Sequence, residues 1–143
     1  MAAMAGRSPS KAGRDCPRCP RLVAFRENWR AKEPSWFNAP VPSFGPLTAR
    51  LLIVGLAPGL RGANRTGRPF TGDYAGELLY ATLKEFGFAR GQFEARPDDS
   101  LELVDARITN GVRCVPPENK PTPACWRCAR GRSRDAQHFV HPG

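Results

Sequence analysis

The sequence has few lysines, no long apolar run and no apolar leader segment. Its 22 Lys and Arg residues include only four lysines, Lys11, Lys32, Lys84 and Lys120. No apolar stretch approaches the roughly 20 residues that a membrane-spanning helix needs. The basic segment 1–14 also lacks the apolar core of a secretory signal. We therefore expect a cytoplasmic protein whose N-terminal 14 residues are disordered.

The positive charge is carried mainly by arginine. The formal net charge of the 143-residue chain is +9. Arginine binds phosphate through two N–H groups at once, and a basic chain favours a polyanionic partner such as nucleic acid. A GC-rich coding bias would raise the arginine content in the same way, so charge alone favours neither explanation.

The segment 51–73, LLIVGLAPGLRGANRTGRPFTGD, is the most informative part of the chain. Its first four residues predict a short buried strand, which runs directly into the loop Gly55–Gly59. Ligands typically bind where such a strand ends in an open α/β sheet, and glycine lets the backbone approach them closely. The chain lacks G-x-x-x-x-G-K-[ST], and its glycines do not form G-x-G-x-x-G directly after the strand. A nucleotide-binding enzyme is therefore the weaker interpretation.

The flanking segments predict one βαβ unit. The spacing of apolar residues predicts a helix over 73–87, which Asp73 can cap and Gly87 can end. A second strand is predicted over 101–109, and it joins the first by a right-handed crossover if the two are parallel. Upstream, we expect a short helix running toward Trp29 and then a proline-rich connector over 32–47.

The C-terminal segment departs from this pattern. Pro123 is well placed to begin a helix, but the Arg-rich stretch that follows shows no apolar periodicity and no strand pattern. We therefore expect no helix there and interpret residues 125–143 as a tail that is foreign to the fold.

Five cysteines form two C-x2-C pairs and one single residue: Cys16 and Cys19, Cys114, Cys125 and Cys128. Four thiolates hold either Zn²⁺ or an iron–sulfur cluster, and the spacing alone does not choose between them. Five unrelated reduced thiols are the remaining alternative. Cysteine is seldom this frequent in a small cytosolic chain without such a use.

Three motifs in this order resemble the iron–sulfur-containing uracil-DNA glycosylases of the type-5 branch. They are CPRC with LVAFR, LLIVGLAPG with NRTGRPFTGD, and ITNGVRCVPPENKPT, and they cover residues 15–124. The resemblance implies a three-layer α/β/α fold around a mostly parallel sheet, here incomplete at the C-terminus. It also implies a DNA-repair enzyme that hydrolyses the N-glycosidic bond of uracil, and of other deaminated bases, in DNA. We expect it to act as a monomer.

The resemblance assigns roles to residues in and after the second motif. Asp73 looks like the acid that activates water, Phe70 like the ring that stacks on the base, and Asn110 like the amide that reads the uracil edge. The remaining substrate-binding residues are those of the loop: Gly55, Leu56, Ala57, Pro58 and Gly59. Taken without the resemblance, Asp73 is equally a helix cap, Phe70 a core residue and Asn110 a turn residue.

Three arginines beside the loop are candidate contacts to DNA phosphates: Arg61, Arg65 and Arg68. Phosphate contacts position a protein on DNA without reading its sequence. Solvated surface charge is the alternative interpretation of all three.

The resemblance also implies a structural [4Fe-4S] cluster. Its ligands would be Cys16, Cys19, Cys114 and a fourth cysteine, and Cys128 lies nearer to the family's spacing than Cys125. With zinc instead of the cluster, the chain would be a non-enzymatic nucleic-acid-binding module. The family also has a His-Pro-Ser segment late in its sequence. The triplet at residues 141–143 occurs too early in this sequence to match it. Full activity is expected to need that segment.

Overall fold

The computed structural model describes residues 13–130, with side chains as far as residue 126. The expected disorder of segment 1–14 therefore falls outside the described residues except at Gly13 and Arg14, and the terminal triplet 141–143 lies outside them altogether. Among the described helices, none is long and apolar enough to cross a membrane.

Residues 13–130 contain four α-helices and four β-strands. In order they are α1 (Pro20–Lys32), β1 (Leu51–Gly55), α2 (Ala63–Thr66), α3 (Tyr74–Glu85), β2 (Ala89–Arg90), β3 (Glu102–Leu103), β4 (Ala106–Asn110) and α4 (Pro123–Arg130), and a short 3-10 turn at Pro117–Asn119 precedes α4.

A parallel pair of strands lies at the centre. β1 pairs with β4 so that Gly55 lies opposite Asn110 at the carboxyl ends of both strands. α3 connects them in sequence, and a crossover of this kind is what parallel pairing requires. Phe44, from the connector, adds one antiparallel bridge to Ile108 on β4. The chain thus has an α/β fold with a parallel sheet, as the sequence predicts.

The main core fills the space between this sheet and α3. Its buried members are Tyr80, Leu83, Ala89, Leu101, Leu103, Ala106 and Ile108. They come from α3, from β2, β3 and β4, and from the residue just before β3. Burial of apolar side chains at about 25 cal/mol per Å² is the main stabilising contribution here.

β1 is less buried than the sequence predicts. Leu51 is 37% exposed and Val54 is 58% exposed, although an unbroken apolar run is typical of a strand covered on both faces. Within residues 13–130, β1 has one strand neighbour, β4. The apolar pattern is therefore consistent with a larger sheet than the described part of the chain forms.

The second predicted strand is divided in two. Residues 102–103 pair antiparallel with β2, whereas residues 106–110 pair with β1. Asp105 separates the two pieces with a left-handed backbone (φ 55°), and its carboxylate is paired with Arg50 at 2.7 Å. A pattern of alternating apolar residues does not show such a change of direction, because both pieces keep the period of a strand.

α3 begins and ends where the sequence predicts. Asp73 is the N-cap and Gly87 follows the helix with a left-handed φ of 78°. The apolar spacing that predicts this helix comes from Ala75, Leu79, Leu83 and Phe86, and it is partly wrong as a guide to burial, because Phe86 is 70% exposed. Tyr80 takes the central core position instead and is fully buried.

A helix does form after Pro123, and the expectation that none would form is wrong. The N–H of Trp126 donates to the carbonyl oxygen of Thr122 at 3.3 Å, which closes the first turn. Proline is favourable at this first position because its missing N–H would have no partner there. A Cβ at Gly111 would collide with the Trp126 ring, so this helix packs directly against the end of β4. Local turn chemistry therefore outweighs the lack of apolar periodicity.

Candidate active site and cysteine group

Gly55, Phe70 and Asn110 meet at the carboxyl ends of the two parallel strands. A Cβ on residue 55 would lie 2.5 Å from the amide oxygen of Asn110 and 2.7 Å from Cζ of Phe70. Real Cβ atoms do not approach other atoms so closely, so only glycine fits here. The structure thus places a ring and an amide side by side at the strand ends where open α/β sheets bind ligands.

Phe70 is held in a left-handed backbone conformation (φ 55°). Such a conformation is unfavourable for a large side chain and is often found at functional sites. Tyr80 donates its hydroxyl to the carbonyl oxygen of Pro69 at 2.6 Å. Burial raises the pKa of the Tyr80 phenol, so it stays protonated and remains a donor. A Cβ at Gly76 would collide with the Phe70 carbonyl, so α3 packs closely against this segment.

Arg68 does not reach the surface. Its side chain is 3% exposed and forms two hydrogen bonds with the Asp99 carboxylate, at 2.8 Å and 2.5 Å. Its guanidinium also lies over the Phe44 ring, 4.5 Å from the centroid. The interpretation of Arg68 as a phosphate contact is therefore contradicted, because the side chain is buried and already paired with an acid.

The surroundings of the Asp99 carboxylate favour its ionised form. Burial raises its pKa, but hydrogen bonds from Arg68 and from the backbone N–H groups of Glu94 and Leu101 outweigh burial, so the pKa lies below its ordinary value. The pair ties the segment before Phe70 to the loop before β3.

Asp73 caps α3 from an exposed position. One of its carboxylate oxygens accepts a hydrogen bond from the N–H of Gly76 at 2.9 Å. It stands three residues after Phe70, at the exposed start of the helix. Asp73 is therefore the N-cap of α3. The same carboxylate remains a candidate for a catalytic role, which experiment has to test.

The loop residues 55–59 differ in their surroundings. Leu56 is 49% exposed, whereas Pro58 is fully buried. Ala57 packs against the buried cluster of Leu22, Val112 and Cys125, and a Cβ at Gly59 would meet nothing within 4 Å. The loop therefore has one open side and one side supported by this cluster.

Arg61 and Arg65 are exposed, as phosphate contacts would need to be. They lie on either side of the start of α2, in the segment between β1 and Phe70. Among the residues that the structure describes, neither side chain is paired with a carboxylate as Arg68 is with Asp99.

Cysteines from both ends of the sequence gather in one place. Cys19 and Cys114 pack against a buried cluster that includes Cys125, and Cys16 lies near enough to Cys114 to raise its pKa. We call Cys16, Cys19, Cys114 and Cys125 the cysteine group. The side chain of Cys128 is outside the described part of the chain.

Burial raises the pKa of the Cys114 thiol, and the guanidinium of Arg26 opposes that effect by charge and by a hydrogen bond. No three His, Cys, Asp or Glu side chains within residues 13–126 are arranged closely enough to hold a metal ion. The chemistry of the donor set nevertheless suits a thiolate-bound metal, because three half-buried thiols and the buried thiol of Cys125 accompany a buried cation, Arg26. The buried Nε of Arg26, which has no hydrogen-bond partner, fits a group that brings negative charge.

Sequence reasoning missed three residues of these two regions: Arg26, Tyr80 and Asp99. Arg26 follows the buried Leu22 by four residues and so shares its face of α1, which was an available signal. Nothing local marks Asp99 as the partner of Arg68, because 31 residues separate the two.

Comparison with known proteins identifies a family match. The model of the Uracil DNA glycosylase superfamily matches residues 42–138. The match continues past residue 124, where the motif-based resemblance ends, and includes the whole of α4.

Several relatives are similar over most of this chain. A type-5 uracil-DNA glycosylase of Thermus thermophilus is 51% identical over 122 residues, which is 80% of this chain and 55% of the relative. A type-5 enzyme of Mycobacterium tuberculosis is 47% identical over 116 residues (76% of this chain, 43% of the relative). One of Pyrobaculum aerophilum is 42% identical over 117 residues (76% and 50%). The chain thus spans about half the length of the curated relatives it matches.

Proposed function

Since the chain belongs to the uracil-DNA glycosylase superfamily, we propose that it removes uracil from DNA by hydrolysing the bond between the base and its deoxyribose. The observation that carries this proposal is the meeting of Phe70 and Asn110 at Gly55. A base cannot be hydrolysed inside the stacked duplex and has to be flipped into a pocket. A flat ring beside a directional amide is what such a pocket needs.

Asn110 reads the edge of the base in this proposal. Its side chain is buried with 7% exposure, and an amide donates and accepts hydrogen bonds at once. It therefore suits uracil, whose O4 accepts and whose N3–H donates. Cytosine presents the opposite pattern and would leave two groups unpaired, each at a cost of about 1–3 kcal/mol. Other deaminated bases with a carbonyl beside an N–H fit the same amide.

Asp73 assists the bond cleavage in this proposal. The bond between C1′ and N1 breaks with its electron pair leaving on the base, and the sugar becomes positively charged before water adds to C1′. The added water then releases a proton, and the departing base takes one up. A nearby carboxylate stabilises that positive charge and orients the water. In this proposal, backbone N–H groups of the loop Gly55–Gly59 stabilise the negative charge on the departing base.

Arg61 and Arg65 hold the DNA backbone in this proposal. Both are exposed on the segment between the loop and Phe70, and guanidinium groups bind phosphate through two parallel hydrogen bonds. The net charge of +9 favours the approach of DNA over longer distances.

The cysteine group would hold a [4Fe-4S] cluster, with zinc as the alternative. We propose Cys125 as the fourth ligand beside Cys16, Cys19 and Cys114, because it is buried in the cluster against which Cys19 and Cys114 pack. The metal would supply a cross-link between distant parts of the chain and no chemistry on the base. Because Ala57 packs against the apolar cluster that contains Cys125, the cross-link would stabilise the loop that faces the base.

The proposal is tested by mixing the chain with a labelled oligonucleotide that carries one uracil, single-stranded or paired with guanine. We expect an abasic site, seen as a strand break after treatment with alkali. The same oligonucleotide with cytosine should stay intact, and Asn110→Ala should lower the rate about ten- to a hundredfold.

Two results would contradict it: an intact uracil oligonucleotide, or equal rates for the variant and the unchanged chain. A colourless chain that holds one zinc ion, binds DNA and releases no uracil would instead support the nucleic-acid-binding module.

A further inference from the structure

Arg26 on α1 is a buried cation without a close carboxylate partner in the described part of the chain. Its side chain is 3% exposed, and its Nε has no hydrogen-bond partner. Glu27 comes to 3.7 Å from that nitrogen, but its side chain is 55% exposed and it accepts a hydrogen bond from Arg30 at 2.9 Å. A buried charge that is poorly paired is strongly unfavourable, so another negative group has to be sought.

The guanidinium faces the cysteine group. Its Nη1 donates to the backbone carbonyl oxygen of Cys16 at 3.2 Å, and its positive charge lies close enough to the Cys114 thiol to favour the thiolate. Leu22, one helical turn earlier, packs in the same buried cluster as Cys125. One face of α1 therefore brings both a cation and an apolar side chain to the thiols.

We propose that Arg26 is a positioning residue for the metal group, neutralising the thiolates and orienting Cys114. The inference rests on the proposed role of the cysteine group in holding a metal. Four thiolates leave a net negative charge on either a zinc site or a [4Fe-4S] cluster, and a buried guanidinium balances part of it. Arginine suits this place better than lysine because its planar fork can donate to the Cys16 carbonyl and to a neighbouring thiolate at once.

The test compares the full chain with Arg26→Met, Arg26→Lys and Arg30→Gln. Arg30 lies one turn further along α1 and contacts Asp15 and Glu27 instead of the thiols, so its replacement controls for general damage to the helix. Each reduced protein is loaded in two ways, with ferrous iron plus sulfide in the absence of oxygen or with Zn²⁺ alone. The readouts are iron, sulfide or zinc per chain, visible absorbance, and loss of metal to a chelator.

We expect Arg26→Met to hold the metal about ten- to a hundredfold more weakly, as changes to groups that support metal ligands typically do. Arg30→Gln should retain it as the unchanged chain does, and Arg26→Lys should fall between the two. If a cluster forms, loss of the nearby cation should also move its midpoint reduction potential to more negative values.

Three outcomes would overturn the proposal. They are equal retention of metal by Arg26→Met and the unchanged chain, equal loss by Arg26→Lys and Arg26→Met, and failure of the unchanged chain to take up either metal. If Arg26→Met does not fold, the comparison of Arg26→Lys with Arg30→Gln decides, because a lysine keeps the charge. No DNA is present in these measurements, so their outcome is independent of whether the chain excises uracil.

Discussion

Gly55 and Asn110 are partners across the parallel β1–β4 pair, and the amide oxygen of Asn110 occupies the space that a Cβ on residue 55 would need. The ladder continues beyond the strands, where the N–H of Gly111 donates to the carbonyl oxygen of Gly55 at 2.8 Å. The two segments that carry the candidate pocket are therefore fixed to each other by backbone hydrogen bonds. This close approach makes residue 55 the most sensitive position of the loop.

Replacement of Gly55 by alanine should disrupt the pocket. The new methyl group would meet both Asn110 and Phe70 at less than 3 Å, and one of them has to move. We expect a loss of about 1–3 kcal/mol in the free energy of unfolding, measured by urea denaturation, together with loss of uracil excision. Gly59→Ala is the matched control for stability, because a Cβ there meets nothing within 4 Å. Equal unfolding midpoints for the two variants would contradict the packing described here.

Two replacements of Asp73 separate its capping role from its proposed catalytic role. Asn is about as good an N-cap as Asp, whereas Ala is not. Asp73→Asn should therefore keep the thermal stability of the chain and lose excision. Asp73→Ala should lose excision and also about 1 kcal/mol of stability.

Unchanged excision by Asp73→Asn would show that this residue acts only as a helix cap. Binding of a uracil-containing oligonucleotide, measured by fluorescence anisotropy, should change little in either variant. A fall in affinity that matches the fall in rate would point to a general defect rather than to a lost carboxylate.

The buried Arg68–Asp99 pair predicts a sensitivity to acid. The pKa of Asp99 is lower in the folded chain than its ordinary value of 3.8. The folded chain therefore binds fewer protons than the unfolded chain, and the pair stabilises it fully above that pH. The stabilisation is lost as the pH falls through the lower, folded pKa.

Thermal unfolding as a function of pH measures this contribution. Asp99→Asn should be less stable than the unchanged chain at neutral pH, and the difference should shrink below about pH 4. Asp98→Asn is the neighbouring control, because its side chain is 77% exposed and its nearest Arg96 nitrogen is 3.7 Å away. A difference for Asp99→Asn that stays constant with pH would show that the carboxylate is not the titrating group.

The parts of the fold that depend on neighbouring residues could be predicted from the sequence. The β1 strand, the glycine loop and the Asp73 cap follow from turn and cap chemistry within a few residues. α4 follows from the same chemistry at Thr122 and Pro123. Apolar periodicity alone predicts no helix there, and that prediction is wrong.

The parts that depend on distant residues could not be predicted in this way. Arg68 looks like a surface cation until Asp99, 31 residues later, is placed beside it. The exposure of Val54 likewise depends on how many strands flank β1, which an apolar run does not reveal. The gathering of the cysteines was predicted only as a requirement of metal binding, and the buried Arg26 beside them carries no local mark of its role.

The most direct test of the central claim is a crystal structure of Asp73→Asn with a uracil-containing oligonucleotide, since this variant should bind the substrate without cleaving it. The account predicts the uracil outside the helical stack, with its face on the Phe70 ring and its edge within hydrogen-bond distance of Asn110. A uracil bound elsewhere, or a site at Gly55 that is closed to the base, would contradict it.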